Sequence, residues 1–380
     1  MKALHNGKLI LGDSIDEGKI LLFNNKIVEI IDESQLVNHT NLELIDAKGN
    51  YISPGFIDIH IHGSGGCDTM DGNIDALNII SKTIIKNGTT AFLPTTMTMD
   101  IEDIHNALDV IRQGMNIDME GAQVLGAHME GPFINAKFKG AQNETYVLLP
   151  HIKYLEDYLD VIKIITMAPE VEGGIDFIDR VLEMKEIVLS IGHTNASYEE
   201  AMEAIKRGIR HATHTFNAMT PLHHRNPGVV GAIFNSNITC ELIADKIHIH
   251  PELFKLLMNI KGKDKLILIT DAMRAGCMKD GEYDLGGQKV VVNGGSARLE
   301  NGSLAGSILT INKAIKNFKE ATGLPLNEVI QLSTLNPAKL LSVDNVKGSL
   351  DIGKDADIIV FDENIEIQKA YVQGEEKYNS

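Results

Sequence analysis

The sequence predicts an α/β fold, a TIM-like (β/α)8 barrel carrying a small β domain formed from both chain ends. Three observations predict it. Eight short apolar runs alternate with amphipathic helical stretches, strand-like texture fills the first 50 and last 35 residues, and ionisable residues crowd the ends of the apolar runs. With 380 residues and 43% hydrophobic content the chain can bury a large core, and 23% charged residues make it neither disordered nor fibrous.

The N-terminal strings KALHNGKLI, GKILLFNNKIVEII and LELIDAKGN are apolar runs punctuated by Gly and Asn, without a helical period. The tail, VKGSLDIGKDADIIVFD and then EIQKAYVQG, has the same texture. Residues 1–52 and 345–380 are therefore expected to meet in one small β domain, with a catalytic barrel at 53–344. Barrel strands are expected at 56–62, 89–93, 122–128, 162–167, 187–192, 210–216, 238–243 and 265–270. Between several of them, IDALNIISKTIIKNG, YEEAMEAIKRG and HPELFKLLMNIKG repeat apolar residues at three and four, and each ends in Gly. Such alternation suits a closed barrel better than an open sheet. The GSGG string at 63–66 lacks the spacing of a nucleotide fingerprint, and the Gly pairs at 65–66, 286–287 and 294–295 mark turns.

Charge excludes some partners. Thirty-five basic against 52 acidic side chains give −17, which disfavours nucleic acid and anionic membranes. No apolar run approaches the ~18 residues of a membrane span, and MKALHNGKLI lacks a signal-peptide core. Cys67, Cys240 and Cys277 are odd in number and far apart, so no disulfide framework is expected. The expectation is a cytoplasmic enzyme.

In a barrel the C-terminal strand ends share one face, where active sites are built. His60 and His62 end the first strand, Glu130 follows the third, His193 the fifth, His214 lies near the end of the sixth, and Asp271 closes the eighth. Residues at i and i+2 point the same way, so His60 and His62 can both face the barrel axis. One strand-end histidine is ordinary. Four with two carboxylates would finish an apolar core badly, and a metal supplies the partners they need. Imidazole and carboxylate donors without a thiolate cluster suit Zn, Fe, Co or Ni. His211, opposite in parity to His214, is expected to face the helices. His223, His224 and His250 are expected in solvent, and Cys67 as a plain thiol.

The strings PGFIDIHIHGSGGCDTMDG, TTAFLPT, HMEGPFINAKFKGAQ, SIGHTNASYEEA, THTFNAMTPLHHRNPG, LIADKIHIHP, LITDAMRAGC and LAGS resemble the amidohydrolase superfamily over nearly the whole chain. The HxH pair and the terminal Asp belong to the superfamily at large. EGPFIN, GHTxA, HxFNAM and RxPG resemble one family within it, the N-acetylglucosamine-6-phosphate deacetylases. That resemblance implies the amidohydrolase type of barrel and one or two divalent ions per subunit, Zn or Fe foremost, with Co, Ni and Mn compatible. It makes Glu130, His193 and His214 the principal ligands, adds His60 and His62 for a two-metal version bridged by Glu130, and makes Asp271 the catalytic acid–base. It places Ala141, Gln142, Asn217, Ala218, Arg225, His248, Leu304, Ala305 and Gly306 at substrate contacts. Some relatives carry His where this chain has Gln142. The implied reaction is attack of a metal-activated hydroxide on the acetamide of N-acetylglucosamine 6-phosphate, giving glucosamine 6-phosphate and acetate in amino-sugar catabolism and cell-wall sugar recycling. Arg225, whose guanidinium fork fits phosphate oxygens, is implied to reach the neighbouring site of a homodimer. Dihydroorotases and hydantoinases are rivals, although many two-metal relatives of that kind bridge with a carboxylated Lys where this chain offers Glu130. A different amino sugar and a non-catalytic scaffold also remain as readings.

Overall fold

Eight parallel strands form the barrel in the computed structural model, which describes all 380 residues. They are β1 Phe56–Ile61, β2 Thr89–Thr96, β3 Ala127–Glu130, β4 Ile162–Met167, β5 Val188–Ile191, β6 His211–Ala212, β7 Thr239–Ile243 and β8 Leu266–Ile269. Each pairs with the next in chain order. The seam between β8 and β1 closes just beyond the strand ends, where Asp271 N–H donates to the His60 carbonyl (2.9 Å) and His62 N–H to that of Ala272 (2.9 Å). Every residue of β1, β2 and β3 is buried. Parallel strands covered on both faces read as continuous apolar runs, which is why these segments were visible as such.

Helices Ile74–Ile84, Tyr198–Arg207 and Glu252–Lys261 fall where the spacing predicts. Gly88, Gly208 and Gly262 follow them with positive φ. Two strands differ from expectation. The run 122–128 breaks at Gly126 (φ +146°), so Gln123–Val124 and β3 are separate pieces and Glu130 lies within β3. The run 210–216 keeps only two strand residues, because His214 and Phe216 adopt positive φ and turn the chain.

The chain ends build two sheets. Tyr51–Pro54 pairs antiparallel with Ile358–Phe361 and parallel with Lys8–Ile10 in a six-stranded sheet. Four N-terminal strands form the other. Leu4, Leu21, Phe23, Ile358 and Tyr371 fill one core between them. A three-stranded sheet, Gly281–Leu285, Gln288–Asn293 and Ser296–Leu299, was not expected. Its two hairpin turns are the Gly pairs 286–287 and 294–295, all at positive φ, as two-residue hairpin loops require. Gln288 Nε2 donates to the Ala141 carbonyl and fixes this sheet against the barrel's C-terminal face. No helix is long and apolar enough to cross a membrane.

Candidate active site

The strand ends bring six of the expected residues together. Glu130 lies at the centre and is only 2% exposed. Its Oε1 is 3.4 Å from His60 Nε2, 3.2 Å from His193 Nε2 and 3.1 Å from His214 Nε2, while Oε2 is 3.3 Å from His62 Nε2. Asp271 Oδ1 stands 3.2 Å from His62 Nε2 and 3.5 Å from His60 Nε2. Two ligands each about 2.1 Å from a tetrahedral ion lie about 3.4 Å apart, so the spacing is that of donors around an ion.

The imidazoles are held with Nε2 forward. His62 Nδ1 faces the Thr95 carbonyl (3.2 Å) and His193 Nδ1 the Phe138 carbonyl (3.0 Å), and a carbonyl accepts only from a protonated nitrogen. His60 Nδ1 donates to Glu241 Oε2 (2.9 Å). His60 Nε2 is buried with no hydrogen-bond partner. A buried, aimed and unpartnered nitrogen is costly unless something binds it. Glu130, His193 and His214 form one donor set, and His60, His62 and Glu130 another. Both fit a divalent ion of the borderline class that takes imidazole and carboxylate.

Charge points the same way. Glu130, Asp271 and Glu241 have only histidines as charged-pair partners, with no Lys or Arg among them. Burial pushes Glu130 and Asp271 upward, but His60 and the adjoining imidazoles outweigh it and hold both below the usual carboxylate range. Burial pushes His62 down, yet Asp271 and Glu130 raise it to about 10. His193, His214 and Asp271 all have positive φ (48°, 29° and 48°), a region that side-chain-bearing residues rarely adopt. Such strain concentrates where geometry serves a site.

A cleft of about 210 Å³ opens over this cluster. Ala141, Gln142, Asn217, Ala218, His248, Leu304 and Gly306 line it, whereas Ala305 is buried and does not. Gln142 is more than a wall. Its Nε2 donates to Glu130 Oε2 (2.7 Å) and its Oε1 accepts from Thr98 N–H (2.7 Å), so it steadies the central carboxylate. His248 Nδ1 is 2.6 Å from Asp245 Oδ2, leaving Nε2 for a ligand. Arg225 is exposed beside His224 in its loop and does not line the cleft of its own chain. His223 and His250 are exposed as expected, and Cys67 joins no donor set.

The expectation for His211 is corrected. It is fully buried and points inward, with Nε2 3.2 Å from Glu241 Oε1, because the turn at His214 breaks the strand alternation on which its parity was judged. Glu241 and His128 were missed altogether. His128 lies on β3 and is bonded to the Ile59 carbonyl (3.0 Å) and Thr166 Oγ1 (2.7 Å). A lone ionisable residue inside an apolar strand string, as in ITCELI, was the available signal.

The model of the amidohydrolase family matches residues 51–379. N-acetylglucosamine-6-phosphate deacetylase of Lysinibacillus sphaericus is 40% identical over 356 residues, covering 92% of this chain and 91% of that protein. N-acetylgalactosamine-6-phosphate deacetylase of Escherichia coli O157:H7 is 37% identical, covering 88% and 89%. The crystal structure of N-acetylglucosamine-6-phosphate deacetylase from Pasteurella multocida superposes with a TM-score of 0.94 at 34% identity, covering 100% of both chains. The chain belongs to the amidohydrolase family and, within it, to the branch of these amino-sugar-phosphate deacetylases.

Proposed function

We propose that the protein hydrolyses the acetamide of N-acetylglucosamine 6-phosphate to glucosamine 6-phosphate and acetate. The observation that carries this reading is the ring of four imidazoles around Glu130 with Asp271 at its edge, under a cleft, in a chain of this branch. Glu130, His193 and His214 would hold one divalent ion, and His60 and His62 with Glu130 a second. Zn or Fe suits these donors best. Such an ion supplies water acidified towards neutrality and polarisation of the amide carbonyl. Asp271, kept ionised by its histidine neighbours, takes the proton of the attacking water and returns it to the departing amine. His248, whose ring Asp245 orients through Nδ1, can donate from Nε2 to the carbonyl oxygen as negative charge develops there when both ring nitrogens carry a proton. Three unpaired cysteines suit a reducing cytoplasm.

The phosphate needs a cation, and no Lys or Arg lines the cleft. Arg225 of a second subunit in a homodimer fills that role in this reading. Arg225→Ala should therefore lower kcat/KM for the 6-phosphate at least about tenfold, since a charge-assisted contact is worth roughly 1.5–3 kcal/mol. Unphosphorylated N-acetylglucosamine should change little. Mixing Asp271→Asn chains with impaired Arg225→Ala chains should raise activity above that of either alone, because one site of the mixed dimer then has both residues. Equal losses on both sugars would make Arg225 structural.

The galactosamine epimer is a second reading, favoured by the 37% identity to the E. coli enzyme. Acetate release measured side by side on both 6-phosphates decides between them.

A further inference from the structure

We propose that Glu241 is a positioning residue whose single carboxylate ties the two ion positions of the site together. The proposal rests on the metal-dependent reading above and adds to it a residue outside both donor sets. Glu241 sits in mid-strand on β7, fully buried below the cluster. Its Oε2 accepts from His60 Nδ1 at 2.9 Å and from the backbone N–H of His214 at 2.9 Å. Its Oε1 lies 3.2 Å from His211 Nε2, and His211 Nδ1 is 2.7 Å from Thr239 Oγ1. One carboxylate thus grips a ligand from each donor set.

The two grips do different work. The bond to His60 keeps a proton on Nδ1, so that the unpartnered Nε2 is the nitrogen offered to an ion. A carboxylate behind a metal-binding imidazole also raises its basicity and fixes its ring. The bond to His214 holds a backbone at φ +29°, a conformation that the residue would otherwise leave. Without Glu241 the first ring can rotate or change tautomer, and the second can relax towards ordinary backbone geometry. Loss of Glu241 should therefore loosen both positions, whereas loss of His60 should loosen only one.

A rival role is that Glu241 is itself a ligand, since its oxygen lies near ring nitrogens of His60 and His128. The hydrogen bonds argue against it. His128 has both ring nitrogens engaged, and His60 offers Glu241 the nitrogen that bears the proton.

The test is zinc binding by folded protein, read as stoichiometry and affinity in competition with a chromophoric chelator. Glu241→Gln keeps the shape but removes the charge, so both charge-assisted bonds to Oε2 become weaker neutral ones and the basicity lent to His60 is lost. His211 can change tautomer to receive the new amide N–H. The expected result is two zinc ions per wild-type chain and a loss of about 10–100-fold in affinity at both positions in Glu241→Gln. His60→Asn should lose one ion and hold the other. The thermal midpoint of the ion-free variant, compared with that of ion-free wild type, separates positioning from a merely structural role, which would lower the midpoint and leave zinc affinity in the folded protein alone. If Glu241→Gln does not fold, Glu241→Asp draws the charge back by one methylene and should show the same double loss. Wild-type affinity at both positions, a loss at one position only, a single ion in wild type, or a third ion removed by the substitution would each overturn the proposal. Absence of any zinc in wild type would instead overturn the metal-dependent reading itself.

Discussion

Two regions of this molecule bury ionised groups, and they handle them in opposite ways. In the small β domain Lys347 Nζ lies 2.9 Å from Asp355 Oδ2 and 2.6 Å from Asp357 Oδ2. Lys26 adds a 2.6 Å contact to Asp355 Oδ1, and Gln373 N–H donates to Asp357 Oδ1 (2.9 Å). Two cations face two anions, and every carboxylate oxygen has a donor. At the barrel's C-terminal face three carboxylates meet neutral-capable imidazoles, with no Lys or Arg and with His60 Nε2 left unpartnered. A closed ionic cluster stabilises a fold, whereas an open one is completed by a ligand. That contrast marks the open cluster as the candidate site independently of any relative.

The largest expected effect lies at the open cluster. Asp271→Asn should lower acetate release by ~10²–10⁴-fold while bound ion and substrate affinity persist, because proton transfer is worth that much. Activity within about tenfold of wild type would remove Asp271 from the chemistry. The closed cluster should behave in reverse. Lys347→Met leaves two buried carboxylates short of a partner and should cost about 3–5 kcal/mol of stability in urea unfolding, with turnover per folded molecule unchanged. A matching fall in turnover would break the contrast between the two regions.

A smaller, graded effect follows from pH. In the ion-free protein His62 is raised from its usual range to about 10 by Asp271 and Glu130, against the downward push of burial. Because the folded value exceeds the unfolded one, the stabilisation from protonated His62 is complete below about pH 6.5 and is lost as pH rises through about 10. Ion binding must displace that proton. Zinc affinity should therefore climb between pH 6.5 and 9, by up to about tenfold per unit for each proton displaced, while the ion-free protein becomes less stable. Titrations at fixed ionic strength check both slopes, and a flat affinity would mean that the imidazoles are not the ligands.

Much of this was legible in the sequence, for physical reasons. Buried parallel strands are apolar throughout, and strand parity alone aimed His60 and His62 inward. Strand ends rich in His and carboxylates located Glu130, His193, His214 and Asp271. What sequence could not show depends on backbone departures and long-range pairing. The turn at His214 breaks the alternation, so parity counted from it misplaced the inward His211, and Gly126 split the third strand. Glu241 and His128, isolated polar residues in apolar strings, drew no reading, and only folding places them beside His60. Gln142 was expected only at a substrate contact, and its 2.7 Å bond to Glu130 emerges from the fold alone.

The most direct test of the open-cluster reading is acetate release from N-acetylglucosamine 6-phosphate by protein stripped of ions with a chelator and then titrated with zinc. The expected result is negligible release from stripped protein that remains folded, rising with bound zinc and levelling off when the histidine–Glu130 positions are full. Full-rate release from folded protein carrying less than a tenth of an ion per chain, on the order of trace contamination, would contradict it.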